Sequence, residues 1–161
     1  MARRTGRRTV RPITSWRMAM GETMELARKS IELMDRRDFN GLRALFSPDF
    51  TFWDPATGTL DADGFVGYLG NYAEAMPTGS TERKSEAESG NVAIIEAVVT
   101  LKHVGNLRTP NGVVPPTGRS LALPYCHFVR AEAGRISALK FYYDQIFFLS
   151  GLGLLPRPAA A

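Results

Sequence analysis

Cysteine and histidine are nearly missing from this chain of 161 residues, which has one cysteine, Cys126, and two histidines, His103 and His127. A single thiol excludes an intrachain disulfide and fits a reducing, cytoplasmic setting. One cysteine and two histidines fall short of the common Cys/His zinc sites, and no histidine pair stands at ligand spacing on a helix, so no metal is expected. A glycine-rich phosphate loop and a Gly-x-Ser-x-Gly elbow are both absent, which disfavours nucleotide and acyl-enzyme chemistry and leaves no cofactor to expect. No apolar run approaches the roughly 18 residues that span a membrane. Acid is missing from the first seventeen residues, which carry Arg3, Arg4, Arg7, Arg8, Arg11 and Arg17. Removing those six from the 20 basic residues leaves 14 against 16 acidic ones, so the formal charge of +4 belongs to a tail rather than to a basic face. That tail lacks interleaved aromatics and helical amphipathicity, and neither nucleic acid nor a membrane is expected as a partner. No apolar segment follows the arginines as a secretion signal requires. Residues 1–21 read as a disordered basic extension, or as a start placed upstream of Met18, Met20 or Met24. Residues 157–161 read as a frayed end. Between them, 22–156 form one domain, with 44% apolar and 22% charged residues in the whole chain, as soluble globular proteins have.

The chain opens on helical spacing. Met24, Ala27, Ile31 and Met34 predict an amphipathic helix over 22–36. Asp38 or Asn40 caps a short second helix with Leu42, Leu45 and Phe46, stopped by Pro48. Residues 50–54 predict a strand with Phe50, Phe52 and Asp54 on one side and Trp53 on the other, in the core; Pro55 closes it. Asp61 or Asp63 begins a third helix with Phe65, Leu69, Tyr72 and Met76 in one stripe. Residues 82–89 are so polar that a strand there lies at an edge. A long strand over 91–103 leads through a Pro- and Gly-rich connection, 105–118, to a hairpin over 120–145 turned at Gly134. Asp144 caps a last helical turn. Three helices followed by antiparallel strands predict an α+β fold, with the helices on one face of a curved sheet.

The candidate chemistry is general acid–base work by carboxylate and imidazole, or plain binding. Asp54 ends a strand among apolar neighbours, where a carboxylate suits a general base. The same pattern fits an Asp-Pro turn with its oxygen bonded to backbone amides. Leu121, Leu123, Tyr125, His127 and Val129 share a face by the period of a strand, so His127 is either a buried neutral imidazole or a pocket residue. His103 lies on an apolar face at its strand's end, where a structural role fits. Of Tyr142 and Tyr143, one reaches the pocket and the other packs at an interface.

Leu45-Phe46-Ser47-Pro48-Asp49-Phe50-Thr51-Phe52-Trp53-Asp54-Pro55, then His103-Val104-Gly105, Pro115-Pro116-Thr117-Gly118-Arg119, His127 and the ending Asp144 to Leu152-Gly153-Leu154-Leu155-Pro156, resembles the SnoaL-like polyketide cyclases. These belong to the superfamily of ketosteroid isomerase, scytalone dehydratase and nuclear transport factor 2. The resemblance implies a cone-shaped α+β barrel, three N-terminal helices on a strongly curved, mostly antiparallel sheet. It also implies a homodimer through the outer sheet face and an interior that binds a small apolar or polycyclic molecule. By this likeness Asp54 matches the isomerase base and His127 a pocket histidine of the cyclases. The cyclases' last-strand aspartate corresponds to Phe141, the isomerases' tyrosine to Ser30 and their protonated aspartate to Cys126. The expected catalytic pair is Asp54 and His127, with Tyr125, Phe141, Tyr143, Phe52 and His103 binding substrate. The alternative is a non-catalytic binding or dimerisation module of the same fold.

Overall fold

The computed structural model describes residues 21–155. Helix α1 runs Glu22–Asp35 and buries Met24, Ala27, Ile31 and Met34, the stripe its spacing predicts. It stops where Arg37 takes a left-handed conformation (φ 59°), so that the Arg37 and Asp38 amides turn back to the Met34 and Leu33 carbonyls. Asp38 then caps α2, Phe39–Arg43, by accepting from the Gly41 amide at 2.8 Å. Strand β1, Phe46–Asp54, starts four residues before the predicted strand. Pro48 therefore lies inside it, in the interval between Phe46 and Thr51 where its register with the neighbouring strand shifts, and a missing N–H costs little there. β2, Gly58–Leu60, folds back on β1 as a short hairpin that the sequence pattern did not reveal. Asp61 caps α3, Ala62–Ala75, through the Gly64 amide at 2.8 Å.

The remaining strands are β3 (Gly79–Ser89), β4 (Val92–Lys102), the small hairpin β5 (Leu107–Thr109) and β6 (Gly112–Val114), β7 (Ser120–Glu132) and β8 (Arg135–Tyr143). A fourth helix, α4, runs Gln145–Gly151, its Asp144 cap accepting from the Phe147 amide at 2.9 Å. The main sheet has the order β2-β1-β8-β7-β4-β3, with β1 and β8 the one parallel pair. Bulges between Arg83 and Ser85 and between Arg130 and Ala131 strengthen its bend. The expected barrel is thus a strongly curved sheet that stays open, because β2 and β3 remain as edges; the three expected N-terminal helices and the last helical turn after Asp144 are all present. β3 is almost wholly exposed and rich in Glu, Arg and Lys, which protects the edge from pairing with another chain.

Strand alternation sets the two faces. Leu121, Leu123, His127 and Val129 are buried on the concave side. Trp53, expected in the core, packs instead on the convex side against Tyr142, ring centroids 5.2 Å apart. It is only partly buried, since parity selects a face and not a depth. Phe50, Phe52 and Phe65 meet Ile95, Val129 and Leu139 beneath α1 and α3, and Phe52 stacks on Phe65 at 4.1 Å. A second cluster joins Met76, Leu121, Leu123 and Phe148. Gly105 lets the chain cross the end of α3. Its amide donates to the Ala75 carbonyl at 2.9 Å, and a β-carbon there would lie 2.2 Å from the Glu74 carbonyl oxygen.

Candidate active site

Asp54 stands at the last residue of β1 and is fully buried. Its two carboxylate oxygens have different partners. Oδ1 accepts from the Ala56 amide (3.0 Å), the Thr57 amide (2.7 Å) and the Thr57 hydroxyl (2.7 Å), closing the turn after the strand. Oδ2 accepts from the Tyr68 hydroxyl at 2.8 Å and the Tyr143 hydroxyl at 3.3 Å. Tyr68 comes from α3 and Tyr143 from the end of β8, so a helix and a strand converge on one oxygen.

Tyr68 and Tyr143 line an apolar cavity of about 120 Å³ on the concave side, with Tyr72, Leu123, Tyr125, Phe141 and Phe148 among its walls. Burial pushes the Tyr68 phenol well above its ordinary value, an effect reinforced by Tyr72 and Asp54. Burial raises Tyr72 to about 12 and also raises Tyr125 and Tyr143. At neutral pH all four are hydroxyl donors rather than phenolates. A second polar end lies across the sheet. Asp35 accepts from the Thr81 hydroxyl (2.8 Å) and amide (3.1 Å), and both residues line the cavity along with Arg37. Arg37 itself reaches the Met76 carbonyl at 2.9 Å.

His127 is fully buried and is not among the residues that line this cavity. It pairs in register with Phe141, and its ring packs on two cavity residues, Phe141 at 5.5 Å and Tyr125 at 6.3 Å. Ser30 Oγ lies 2.8 Å from both the Ala27 carbonyl oxygen and His127 Nε2. The serine has one proton to give. If it serves the carbonyl, Nε2–H donates to the serine oxygen and Nδ1, which has no partner, is the bare nitrogen. Burial drives the His127 pKa down to about 3, so the ring is neutral at physiological pH. Phe52 lies one layer behind the cavity, touching Tyr68 at 5.5 Å and Phe141 at 5.1 Å. His103 sits elsewhere, just beyond β4. Its Nδ1 is 3.1 Å from the Thr117 hydroxyl, its backbone pairs with Gly118 and Arg119, and burial lowers its pKa. Cys126 takes the opposite parity to His127 and lies opposite Glu96, on the convex face. Of the residues singled out from sequence, the cavity brings together Tyr125, Phe141 and Tyr143, with Asp54 behind their hydroxyl wall.

Tyr68, Asp35, Thr81 and Arg37 went unmarked in the sequence. Tyr68 carried a usable signal, because it lies three residues after Phe65 and four before Tyr72, on the same helical face. The others carried none: Asp35 and Thr81 meet only through the contact of α1 with β3, and Arg37 reaches the Met76 carbonyl just past α3. Among the described residues no cluster of three His, Cys, Asp or Glu side chains is placed to hold a metal ion.

This arrangement, helices packed on a curved, mostly antiparallel sheet that stays open, is that of the nuclear transport factor 2 and ketosteroid isomerase-like fold. The family model for the SnoaL-like domain matches residues 27–139, and the chain belongs to that family. Three solved structures give the range of its likenesses. AclR, a proposed hydroxylase from Streptomyces galilaeus, has 22% identity, covering 88% of this chain and 91% of AclR, with a TM-score of 0.74. IdmH, a proposed polyketide cyclase from Streptomyces antibioticus, has 21% identity over 81% of this chain and 98% of its own, with a TM-score of 0.68. An LEH-like epoxide hydrolase of M. tuberculosis has 12% identity over 81% of this chain and 89% of its own, with a TM-score of 0.62. At these identities the likeness is one of fold. A comparison with curated proteins found no match.

Proposed function

We propose that this protein is an enzyme that applies general acid–base chemistry, of cyclase, isomerase or hydrolase type, to a largely apolar carbonyl or epoxide substrate. The observation that carries this reading is Asp54 Oδ2, a buried carboxylate oxygen that receives two tyrosine hydroxyls from the wall of an apolar cavity. On a carbonyl substrate Asp54 takes the proton from the carbon beside the carbonyl. The electron pair moves onto the carbonyl oxygen, and a tyrosine hydroxyl turns to donate to the oxyanion. On an epoxide the same carboxylate takes a proton from water as the water attacks carbon, and a tyrosine protonates the departing oxygen. Tyr143, the more loosely held donor at 3.3 Å, is the better placed of the two to turn. His127 supports Phe141 and Tyr125 from behind in this scheme, and the oxyanion donor is a tyrosine rather than the imidazole.

A fold shared with a proposed polyketide cyclase and an epoxide hydrolase agrees with both reaction types. The second reading, a non-catalytic binding module, draws on Phe141, which the resemblance to the cyclases sets against their last-strand aspartate. A homodimer through the convex sheet face is proposed with either reading, since Ile94 (39% exposed) and Tyr142 (46% exposed) leave apolar surface there. The deciding experiment is Asp54→Asn, screened against a panel of aromatic ketones and epoxides. Asparagine can keep the turn bonds of Oδ1, so the variant should fold while turnover is lost. Full activity of that variant on a substrate the parent turns over ends the catalytic reading.

A further inference from the structure

The far end of the cavity from Asp54 holds a second carboxylate. Asp35 and Thr81 line the inner cavity and also a groove on the surface between α1 and β3, so they stand between the two spaces. The Thr81 hydroxyl donates to Asp35 Oδ1 at 2.8 Å and the Thr81 amide to Oδ2 at 3.1 Å. Those two bonds orient the carboxylate and leave acceptor capacity on each oxygen, since an ionised carboxyl offers about four lone-pair sites.

A cation is what this carboxylate lacks. The bases that line the groove are already engaged: Arg28 by Glu25 and Glu86, Lys29 by Glu32, and Arg83 by Glu86. Arg37, which shares the cavity wall, turns its guanidinium to the Met34 and Met76 carbonyls at 3.4 and 2.9 Å. Among the described residues, no basic side chain forms an ion pair with Asp35. The walls beside it are aromatic, with Tyr72, Tyr125, Phe141 and Phe148 around the hollow. Burial raises the Tyr125 phenol, a hydrogen bond with Thr81 offsets part of that, and the Asp35 charge raises it further. The field of Asp35 is thus felt inside the ring of aromatic side chains. A cavity of about 150 Å³ takes a benzene-sized guest, so this one, at about 120 Å³, has room for a single ring at most.

We infer that this end of the cavity binds an organic ammonium ion, a protonated amine on an apolar body no larger than one ring, with Asp35 as its counter-ion. The ammonium N–H groups donate to the unused lone pairs of Asp35, and the aromatic walls favour a cation over a neutral or anionic guest. The inference uses Asp35, Thr81 and those walls alone, and it holds whether or not Asp54 turns the ligand over.

The test is a charge series on one shape: benzylammonium, benzyl alcohol and benzoate, each titrated calorimetrically into the full chain at neutral pH. Benzylammonium should bind about tenfold or more tighter than benzyl alcohol, and benzoate should bind weakest. Asp35→Asn and Asp35→Ser both remove the charge, so a folding defect in one, seen by circular dichroism, leaves the other to decide. In either, benzylammonium should fall to within about twofold of benzyl alcohol, whose own affinity stays within about twofold of the parent's. A preference for benzylammonium that survives in a folded Asp35 variant overturns the inference. So does its loss in Asp54→Asn, which would make the other carboxylate the anchor. Tighter binding of benzoate, equal binding of all three probes or binding of none by the parent also overturns it, and each of these outcomes leaves the acid–base reading to its own test.

Discussion

Replacing His127 by glutamine isolates the cost of keeping a neutral imidazole in the core. Glutamine is close in size, can still reach Ser30 and does not titrate. In the folded protein the ring has a pKa of about 3, against 6.5 for an exposed histidine, and the cause is burial alone. As pH falls below about 6.5 the unfolded chain takes up a proton that the folded protein refuses until about pH 3. Stability is therefore complete above that window and is lost within it, at about 1.4 kcal/mol per pH unit. Between pH 7.5 and 5.0 this ring accounts for about 2 kcal/mol of lost stability. His103, also depressed, acts in the same direction, and it is present in both proteins and cancels from the comparison. Urea unfolding followed by tryptophan fluorescence at the two pH values measures the difference. The parent should lose about 2 kcal/mol more than His127→Gln across the interval. Equal losses would mean that the ring is protonated or solvated in the folded protein, and the placement of His127 behind Phe141 would fall with it. The same result would restore the imidazole as a candidate proton donor to the cavity.

Two further outcomes test the geometry. If Tyr143 is the hydroxyl that turns to the oxyanion, Tyr143→Phe lowers kcat about 10²–10³-fold, whereas Tyr68→Phe, which removes the tighter bond to Asp54, costs less; the two kcat values on one substrate decide. Gly105→Ala sets a methyl against the Glu74 carbonyl and displaces the chain from the end of α3, so thermal melting should show a loss of about 3 kcal/mol or an unfolded product.

Local rules carried much of the fold. The caps Asp38, Asp61 and Asp144 each bond an amide three residues on, and short polar side chains before an apolar stripe signal that directly. The hairpin of β7 and β8 and the polar edge strand β3 were legible for similar reasons, since alternation and turn residues act within a few positions. Pro48 misled because a proline that ends a helix looks the same as one spared a hydrogen bond by a shift of register. Alternation also named the face of His127 and Tyr125 without revealing that one lies deeper than the other.

What local rules could not decide was partnership. Asp54 is legible as a strand-end carboxylate, but its oxygen is shared with hydroxyls 14 and 89 residues away. That meeting depends on β1 lying parallel beside β8 and on α3 crossing the concave face. The Asp35 end arises in the same way, where α1 meets β3 at Thr81. Sequence by itself determined which side chains are available and which face each takes, because those follow from periods of two and 3.6 residues. The tertiary structure alone decided which of them share a cavity, because contacts between distant segments leave no trace in either period.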